Sequence, residues 1–324
     1  MKKNIAVIYG GFSAEHHISV KSGKFVSSII DKEKYNVFEI LINKNSWIEQ
    51  STGKSINKDD FSVKLNHNII KFNAAVNVIH GNPGENGIVQ SYFDMINIPY
   101  TGCNSFVSAL TFNKYYCNKY LLNFDINIAN SLIIRKGNID KEKIQLFIDK
   151  VGLPVFVKPS DGGSSFGTTK VKNQNDIENA LNSAFEHSNE VMIEQFIEGR
   201  EFTCGVIKTN KTLALTPIEV RSKKEFFDYE SKYNSSLNEE IIPAPIDQLK
   251  TNIIKNTSEK IYDLLNCNGI VRMDYIFNEK TNKFYFLEVN TIPGMTSESL
   301  VPKMLRYDNI DITNLYTDLI ESIL

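Results

Sequence analysis

The stretch NIAVIYGGFSAEHHISVKSGKFVSSII, residues 4–30, decides the class of fold. Residues 5–9 are apolar and partly β-branched, which predicts a strand. Gly10 and Gly11 follow as a turn, and an amphipathic pattern from about residue 19 to residue 30 predicts a helix. A strand, a glycine turn and a helix in this order open a doubly wound unit with a parallel sheet. We therefore predict an α/β protein with a doubly wound N-terminal domain.

The rest of the chain predicts two further domains. We place the first domain at 1–102, a central domain of mixed helices and strands at 103–188, and a strand-rich C-terminal domain at 189–324. The stretch 221–241 is polar and aromatic and has no clear periodicity. Loops of that length inside a compact domain are usually lids or disordered inserts, and of these two we predict a lid.

Composition limits the partners and the compartment. The 324 residues include 36 Lys and Arg against 38 Asp and Glu, so no basic excess indicates nucleic acid or an anionic membrane as a partner. No window approaches the roughly 20 apolar residues of a membrane span, and the first apolar run is too short for a signal peptide. The four cysteines have no CxxC spacing, which favours free thiols over a zinc site. We predict a soluble cytoplasmic protein.

A glycine- and serine-rich loop, KPSDGGSSFG at 158–167, lies between two predicted strands. Glycines allow the backbone to approach a ligand closely, and successive N–H groups can bind an anion. Ser164 and Ser165 add hydroxyl donors, and Lys158 adds a positive charge for a phosphate. The loop is not a Walker A motif, because no Gly-Lys-Ser/Thr follows the glycines. Taken alone, it is equally typical of a mobile connector.

Two neighbouring strands carry a cluster of charged side chains. Arg272 and Asp274 alternate on one predicted strand, and Glu288 and Asn290 alternate on the next, with NEKTNK at 278–283 as a hairpin turn between them. The carboxylate and amide oxygens suit Mg²⁺ held together with nucleotide phosphates. Arg272 beside them can stabilise a developing anion. The alternative is a ladder of salt bridges on the protein surface.

Two weaker signals accompany these motifs. The strand end at 194–197 has an apolar character that suits adenine, and Glu201 nearby can accept hydrogen bonds from a ribose. In the first domain, Glu15 and His80 follow predicted parallel strands, at the edge where open α/β sheets bind ligands. Glu15 can bind an ammonium group, and His80 can orient a carboxylate, although a single histidine is more often structural.

Together these segments resemble the D-alanine–D-alanine ligase family of the ATP-grasp superfamily over nearly the whole chain. The residues of the motifs agree with that family, and so do the order and the spacing of the motifs. The motifs are GGFSAEHHIS (10–19), HGNPGENG (80–87), KPSDGGSSFG (158–167), EQFIEGREFT (194–203), FFDYESKY (226–233), RMDY (272–275) and EVNTIPGMTSESLVP (288–302). The resemblance implies an ATP-grasp fold with a Rossmann-like N-terminal domain.

The resemblance also implies roles for individual residues. The implied ATP-binding residues are Lys114, Lys158, Gly163, Ser164, Ser165, Glu194, Gln195, Phe196, Ile197 and Glu201. The implied ligands of two Mg²⁺ ions, with Mn²⁺ as a substitute, are Asp274, Glu288 and Asn290. The implied substrate-binding residues are Glu15 and His80 for the first D-alanine, Arg272 and Gly294 for the oxyanion, Ser299 and Leu300 for the second D-alanine, and Lys232 and Tyr233 in the lid. Glu15, Ser164 and Tyr233 are implied to form a hydrogen-bonded triad, so the implied catalytic set is Glu15, Ser164, Tyr233, Arg272 and Ser299.

The implied activity is the ATP-dependent ligation of two D-alanines through a D-alanyl phosphate, which supplies D-alanyl-D-alanine for peptidoglycan. The resemblance further implies a homodimer. Tyr233 favours an amine as the nucleophile over D-lactate, although a D-alanyl-D-lactate ligase is the close alternative. Two further alternatives fit the residue pattern less well: a related ligase for another amino acid and a non-catalytic nucleotide-binding module. A non-catalytic module would be expected to lose residues such as Arg272 or Asp274, and both are present.

Overall fold

The computed structural model describes residues 2–163, 166–222 and 238–324. Its N-terminal sheet has the strand order β6-β5-β4-β3-β2-β1-β7 in the described residues. The strands are β1 (Lys3–Gly10), β2 (Tyr35–Ile42), β3 (Trp47–Glu49), β4 (Lys54–Asn57), β5 (Ser62–Leu65), β6 (Asn68–Ile70) and β7 (Ala74–Asn77). The pairs β1–β2 and β1–β7 are parallel, which confirms the doubly wound prediction. The antiparallel extension from β3 to β6 was not predicted.

Strand β1 is apolar on both faces because both faces are covered. Ile5 and Val7 join a core that includes helices from the end of the chain, whereas Ala6 and Ile8 join the core on the opposite side of the sheet. Helix α1 (His16–Ile29) follows the turn at Gly10 and Gly11. Gly10 has a φ of +104°, and a Cβ there would lie 2.6 Å from the Ile42 carbonyl oxygen, so the turn requires glycine.

The central sheet is antiparallel and has the order β10-β9-β11-β8. Its strands are β8 (Ser131–Arg135), β9 (Val155–Pro159), β10 (Thr169–Val171) and β11 (Glu190–Gln195). Helices α5 (Lys141–Val151) and α6 (Ile177–Phe185) cover it with apolar side chains such as Ile144, Ile148 and Leu181. Strand β11 belongs to this sheet although it follows the domain boundary predicted at 188.

The C-terminal sheet has the order β15-β14-β12-β16-β17, and β13 pairs with β12. Its strands are β12 (Arg200–Lys208), β13 (Thr212–Ala214), β14 (Ile218–Ser222), β15 (Asn238–Ile241), β16 (Ile270–Asn278) and β17 (Lys283–Asn290). The remaining helices are α2 (Ile88–Met95), α3 (Ser105–Phe112), α4 (Lys114–Leu121), α7 (Gln248–Leu264), α8 (Leu300–Tyr307) and α9 (Ile312–Glu321). Short 3-10 turns occur at Leu122–Phe124 and Gln174–Asp176.

Helices from both sides of the predicted domain boundaries share cores with more than one sheet. Val107 of α3 and Cys117 of α4 share a core with Phe202 of the C-terminal sheet. Val301 of α8 and Leu315 of α9 share a core with β1 of the first domain. The domain limits at 102 and 188 stay predictions, and we propose that α3 and α4 belong structurally with the C-terminal sheet.

The predicted loop at 221–241 is wrong at both ends. Strand β14 extends to Ser222, and residues 238–241 form β15, which pairs with β14 from Glu219↔Ile241 to Ser222↔Asn238. The segment 223–237, which includes Lys232 and Tyr233, lies outside the described residues. The lid therefore stays a prediction.

Two predictions from composition can be compared with the structure. All four cysteines are buried and free, as their spacing predicted. Among the helices that the structure describes, none combines the length and the apolar character needed to cross a membrane.

Candidate active site

A cavity of about 1410 Å³ is lined by α1 and loops of the N-terminal domain and by strands of the central and C-terminal sheets. Every predicted site residue that the structure describes lines this cavity. These residues are Glu15, His80, Lys114, Lys158, Gly163, Glu194, Gln195, Phe196, Ile197, Glu201, Arg272, Asp274, Glu288, Asn290, Gly294, Ser299 and Leu300. Ser164, Ser165, Lys232 and Tyr233 lie outside the described residues, so Glu15 is the one member of the predicted triad that the structure describes.

The charged cluster on β16 and β17 faces this cavity. The two strands pair with Asp274 opposite Glu288 and Arg272 opposite Asn290. Arg272 donates from Nε and Nη2 to the two oxygens of Asp274, both at 2.9 Å. Thr203 Oγ1 and Asn290 Nδ2 also donate to Asp274, at 2.7 and 3.0 Å. The side chains of Arg272 and Asp274 are only 17% and 11% exposed, so the cluster is not a surface ladder.

Lys114 lies at the other end of the cluster. Its Nζ is 3.2 Å from Glu288 Oε2 and donates to the Gly162 carbonyl oxygen at 2.6 Å. Burial lowers the pKa of Lys114, but attraction to Glu288 and more distant carboxylates outweighs burial and raises it overall. Burial likewise opposes the charge of Arg272, and Asp274 beside it raises the pKa of that guanidinium overall. Both groups therefore stay cationic at neutral pH.

The donor set fits a divalent cation held jointly with phosphates. Asp274, Glu288 and Asn290 offer hard oxygen ligands, and their negative charge is now balanced by Arg272 and Lys114. Among the described residues, no group of three or more His, Cys, Asp or Glu side chains could hold a metal alone. Mg²⁺ commonly takes one or two carboxylates and completes its shell with phosphate oxygens and water. The cluster matches that pattern.

The end of β11 forms an apolar slot beside a buried ion pair. The rings of Phe156 and Phe196 lie 5.8 Å apart, and Lys170 Nζ lies 4.0 Å from the centroid of Phe196. Lys158 Nζ donates to Glu194 Oε2 at 2.6 Å, and the two side chains are 15% and 4% exposed. A flat aromatic ligand can stack in such a slot while the nearby charges reach its polar edge.

His80 connects the first domain to the loop after β17. Its Nδ1 lies 2.8 Å from the Ile292 carbonyl oxygen, which can only accept, so Nδ1 carries the proton. Nε2 then accepts from Ser22 Oγ at 3.0 Å. Burial lowers the pKa of His80, and the ring is therefore neutral at physiological pH.

Glu85 is a residue of the cavity that the sequence reasoning missed. It accepts hydrogen bonds from the Gly81 N–H at 2.7 Å and from the Ile292 N–H at 3.2 Å. Burial first, and then repulsion from Glu15, raises the pKa of Glu85 to about 7. The available signal was its place inside HGNPGENG, where an acid follows a turn rich in glycine and proline.

A second missed group is an ion-pair network on the wall formed by β12 and β14. Glu219 is 1% exposed and accepts from Arg200 Nε at 2.6 Å and from Arg221 Nη2 at 2.9 Å. Burial raises the pKa of Glu219, but the two arginines outweigh it and lower that pKa overall. The signal was a carboxylate between two apolar residues of that strand, Ile218 and Val220.

The remaining predicted residues lie where the first domain and α8 meet the cavity. A Cβ at Gly163 would lie 2.6 Å from Glu15 Oε2, so Glu15 reaches the glycine loop across the cavity. Ser299 precedes α8, and its Oγ accepts from the Thr296 N–H at 3.1 Å. The N–H groups that begin a helix have no partner within it and favour an anion. Leu300, at the first position of α8, can offer such a group.

Comparisons with known proteins agree with the predicted family. The model described as the D-ala D-ala ligase N-terminus matches residues 4–103, and that of the D-ala D-ala ligase C-terminus matches 121–321. The chain is 46% identical to the D-alanine–D-alanine ligase of Phocaeicola vulgatus, over 99% of both chains. It is 45% identical to that of Azobacteroides pseudotrichonymphae, over 99% of this chain and 100% of the relative.

Solved structures of similar fold cover the whole chain. The VanG D-Ala:D-Ser ligase from Enterococcus faecalis superposes with a TM-score of 0.88 at 30% identity and covers 100% of both chains. The D-alanyl-alanine synthetase A from Vibrio cholerae superposes with a TM-score of 0.91 at 27% identity, over 99% of this chain and 98% of that one.

Proposed function

The chain belongs to the D-alanine–D-alanine ligase family, and on that premise we propose which residues carry each step of the reaction. The fold is the ATP-grasp fold, and the enzyme joins two D-alanines into D-alanyl-D-alanine for peptidoglycan synthesis with cleavage of ATP to ADP and phosphate. The observation that supports the residue assignment is one cavity that joins the Arg272–Asp274 cluster to Glu15 and His80.

ATP binds along the central sheet. The apolar slot at 194–197 receives the adenine, and Glu201 accepts from the ribose. Lys114 and Lys158 offset the negative charge of the phosphates, which the backbone of the glycine loop then covers. Lys114 is suited to this role because its raised pKa keeps it charged.

Residues of β16 and β17 would hold the divalent ions beside the phosphates. Asp274, Glu288 and Asn290 are the proposed ligands of two Mg²⁺ ions, for which Mn²⁺ can substitute. The bound ions would neutralise charge on the phosphates during transfer. Arg272 donates two hydrogen bonds to Asp274, which places its positive charge beside the proposed ligands.

The first D-alanine binds with its ammonium group at Glu15 and its carboxylate near His80. Because His80 is neutral, it does not attract the carboxylate away from the γ-phosphorus as a positive charge would. A carboxylate oxygen attacks the γ-phosphorus, ADP leaves, and the product is D-alanyl phosphate. This step converts a poor acyl donor into one with phosphate as the leaving group.

The second D-alanine binds with its carboxylate at Ser299 and the Leu300 N–H, at the beginning of α8. Its amine, after losing a proton, attacks the carbonyl carbon of D-alanyl phosphate. Arg272 and the Gly294 N–H stabilise the tetrahedral oxyanion, and phosphate leaves as the peptide bond forms. Exclusion of water protects the acyl phosphate, which is the role proposed for the predicted lid with Lys232 and Tyr233.

We further propose a homodimer in the cytoplasm. Ile88 and Met95 on α2 and Phe106 on α3 are 55%, 82% and 73% exposed. Exposed apolar side chains on adjacent helices are typical of a surface that a second copy covers. The sedimentation coefficient of the wild type and of a Met95→Lys variant would test this contact.

The activity is tested by phosphate release from ATP and Mg²⁺ with three sets of substrates. D-alanine alone should release phosphate and yield the dipeptide mass, whereas L-alanine should release none. D-alanine with D-lactate should yield the dipeptide and no ester. Release that requires D-lactate would move the enzyme to the depsipeptide alternative, and no release with any pair would overturn the proposed substrate.

A further inference from the structure

The residue before Lys114 has a side chain that makes three hydrogen bonds just outside the cavity. Asn113 precedes α4, and its Oδ1 accepts from the Tyr116 N–H at 3.2 Å and from Ser160 Oγ at 2.6 Å. Its Nδ2 donates to Glu190 Oε2 at 3.2 Å. One amide thus joins the start of α4 to the first residue after β9 and to the start of β11.

Lys114 itself is held at both ends by the same segment, 160–162. Its backbone N–H donates to the Ser160 carbonyl oxygen at 2.8 Å, and its Nζ donates to the Gly162 carbonyl oxygen at 2.6 Å. A shift of Ser160 would therefore move the backbone and the ammonium group of Lys114 together.

Glu190, the outer partner of Asn113, is fixed in turn. Its Oε1 accepts from Arg135 Nε at 2.9 Å and from the Tyr116 hydroxyl at 3.0 Å, and Arg135 Nη2 donates to that hydroxyl at 2.8 Å. Partial burial raises the pKa of Glu190, but these hydrogen bonds and that from Asn113 outweigh it, so the carboxylate stays ionised. The Glu190 backbone also accepts from the Ser160 N–H at 2.8 Å.

We propose that Asn113 is a positioning residue for ATP binding, because it fastens Lys114 and segment 160–162 to Glu190 as one rigid unit. The inference rests on the proposed contact of Lys114 with ATP phosphates. Asn113 has the required chemistry because it accepts two hydrogen bonds and donates one at the same time. Aspartate could accept but not donate, and alanine could do neither.

The simpler explanation is that Asn113 only caps α4. The chain offers a matched control, since Asn104 caps α3, which is also eight residues long. The Asn104 side chain accepts from the Val107 N–H at 2.9 Å, and it does not line the cavity. If Asn113 only caps α4, Asn113→Ala and Asn104→Ala should lower the thermal midpoint of unfolding by similar amounts.

The first experiment compares Asn113→Ala with Asn104→Ala in the full-length enzyme. For each variant we would measure the KM for ATP, kcat, the calorimetric Kd for ADP and the thermal midpoint. Asn113→Ala should raise the KM for ATP and the Kd for ADP about tenfold, the scale seen when a supporting hydrogen bond to a ligand-binding group is lost. Asn104→Ala should leave both constants within about twofold of the wild type. Equal constants in the two variants would reduce Asn113 to a cap and overturn the proposal.

A second pair of variants tests whether Asn113 must donate the hydrogen bond that joins it to Glu190. Asn113→Asp keeps the cap but places a second carboxylate about 3 Å from Glu190, and like charges at that distance repel. Its KM for ATP should therefore rise above that of the wild type. Adding Glu190→Gln restores a donor on the opposite side, so the double variant should bind ATP better than Asn113→Asp alone. A double variant that is no better would contradict the proposal.

Lys114→Met separates this inference from the proposed function. If Lys114→Met keeps the wild-type KM for ATP, the assigned role of Lys114 is wrong and the inference falls with it. If Lys114→Met loses ATP binding while Asn113→Ala does not, only the inference falls. Loss in both variants, with Asn104→Ala unaffected, is the expected result.

Discussion

Replacing Glu85 by glutamine should change how the stability of the enzyme depends on pH. The carboxylate lies in the cavity wall near Glu15, and burial raises its pKa from 4.5 to about 7. A pKa raised in the folded state means that folding favours the protonated form. The folded enzyme therefore loses stability as the pH rises from the unfolded pKa towards 7, and the loss is complete above that value.

The size of the effect follows from the same two values. A shift from 4.5 to about 7 corresponds to about 3 kcal/mol between the two protonation states. Between pH 5 and pH 8 the wild type should thus lose about 2.5 kcal/mol that Glu85→Gln does not lose. The glutamine can accept a hydrogen bond from only one of the two N–H groups, that of Gly81 or that of Ile292. The lost hydrogen bond costs about 1 kcal/mol of stability at every pH. The variant should be about as stable as the wild type at pH 5 and more stable at pH 8.

Urea unfolding of both proteins at pH 5, 6, 7 and 8 would measure this growing difference in stability. Glu49→Gln is a control of opposite sign, because hydrogen bonds from Ser51 and Thr52 outweigh burial and lower the pKa of Glu49. That carboxylate stabilises the fold above its unfolded pKa, so Glu49→Gln should become more damaging as the pH rises from acid to neutral. Parallel curves for Glu85→Gln and the wild type would refute the assigned charge state of Glu85.

Other changes test the cavity. Asp274→Asn should lower kcat/KM at least about a hundredfold, because it removes a proposed metal ligand and leaves the buried Arg272 without its counterion; near-normal steady-state kinetics would contradict the site. Gly163→Ala should raise the KM for the first D-alanine about tenfold, because the new Cβ would displace Glu15, and an unchanged KM would separate Glu15 from that substrate. Tyr233→Phe should lower turnover or weaken discrimination against D-lactate, and unchanged kinetics with both substrates would remove Tyr233 from the site. A chelator should abolish phosphate release without altering the circular dichroism spectrum, with recovery on adding Mg²⁺ or Mn²⁺; activity that survives chelation would exclude the metal.

The sequence was sufficient to predict a feature when the residues that cause it lie close together in the chain. Period-two alternation and the turn at 278–283 predicted the β16–β17 pair, and the structure confirms that Arg272 and Asp274 share a face. The glycine turn after β1 was predictable for the same reason, since both its shape and its cause are local.

Features that depend on distant partners could not be predicted in this way. Glu85 acquires its shifted pKa from burial against a loop that contains Ile292, more than 200 residues away in the chain. Asn113 is an ordinary helix cap until the fold brings Ser160 and Glu190 to it. Strand β15 escaped prediction because four residues, two of them acidic, form a strand only when β14 pairs with them.

The most direct test of the account follows the oxygen atoms of the first D-alanine. With D-alanine labelled with ¹⁸O in both carboxylate oxygens, mass spectrometry would record the label in the released phosphate and in the dipeptide. Attack of the carboxylate on phosphorus leaves its oxygen on the phosphate, so we predict one labelled phosphate for each D-alanyl-D-alanine formed. Dipeptide that forms with unlabelled phosphate would contradict D-alanyl phosphate as the intermediate, and with it the roles assigned to Arg272 and the phosphate-binding lysines.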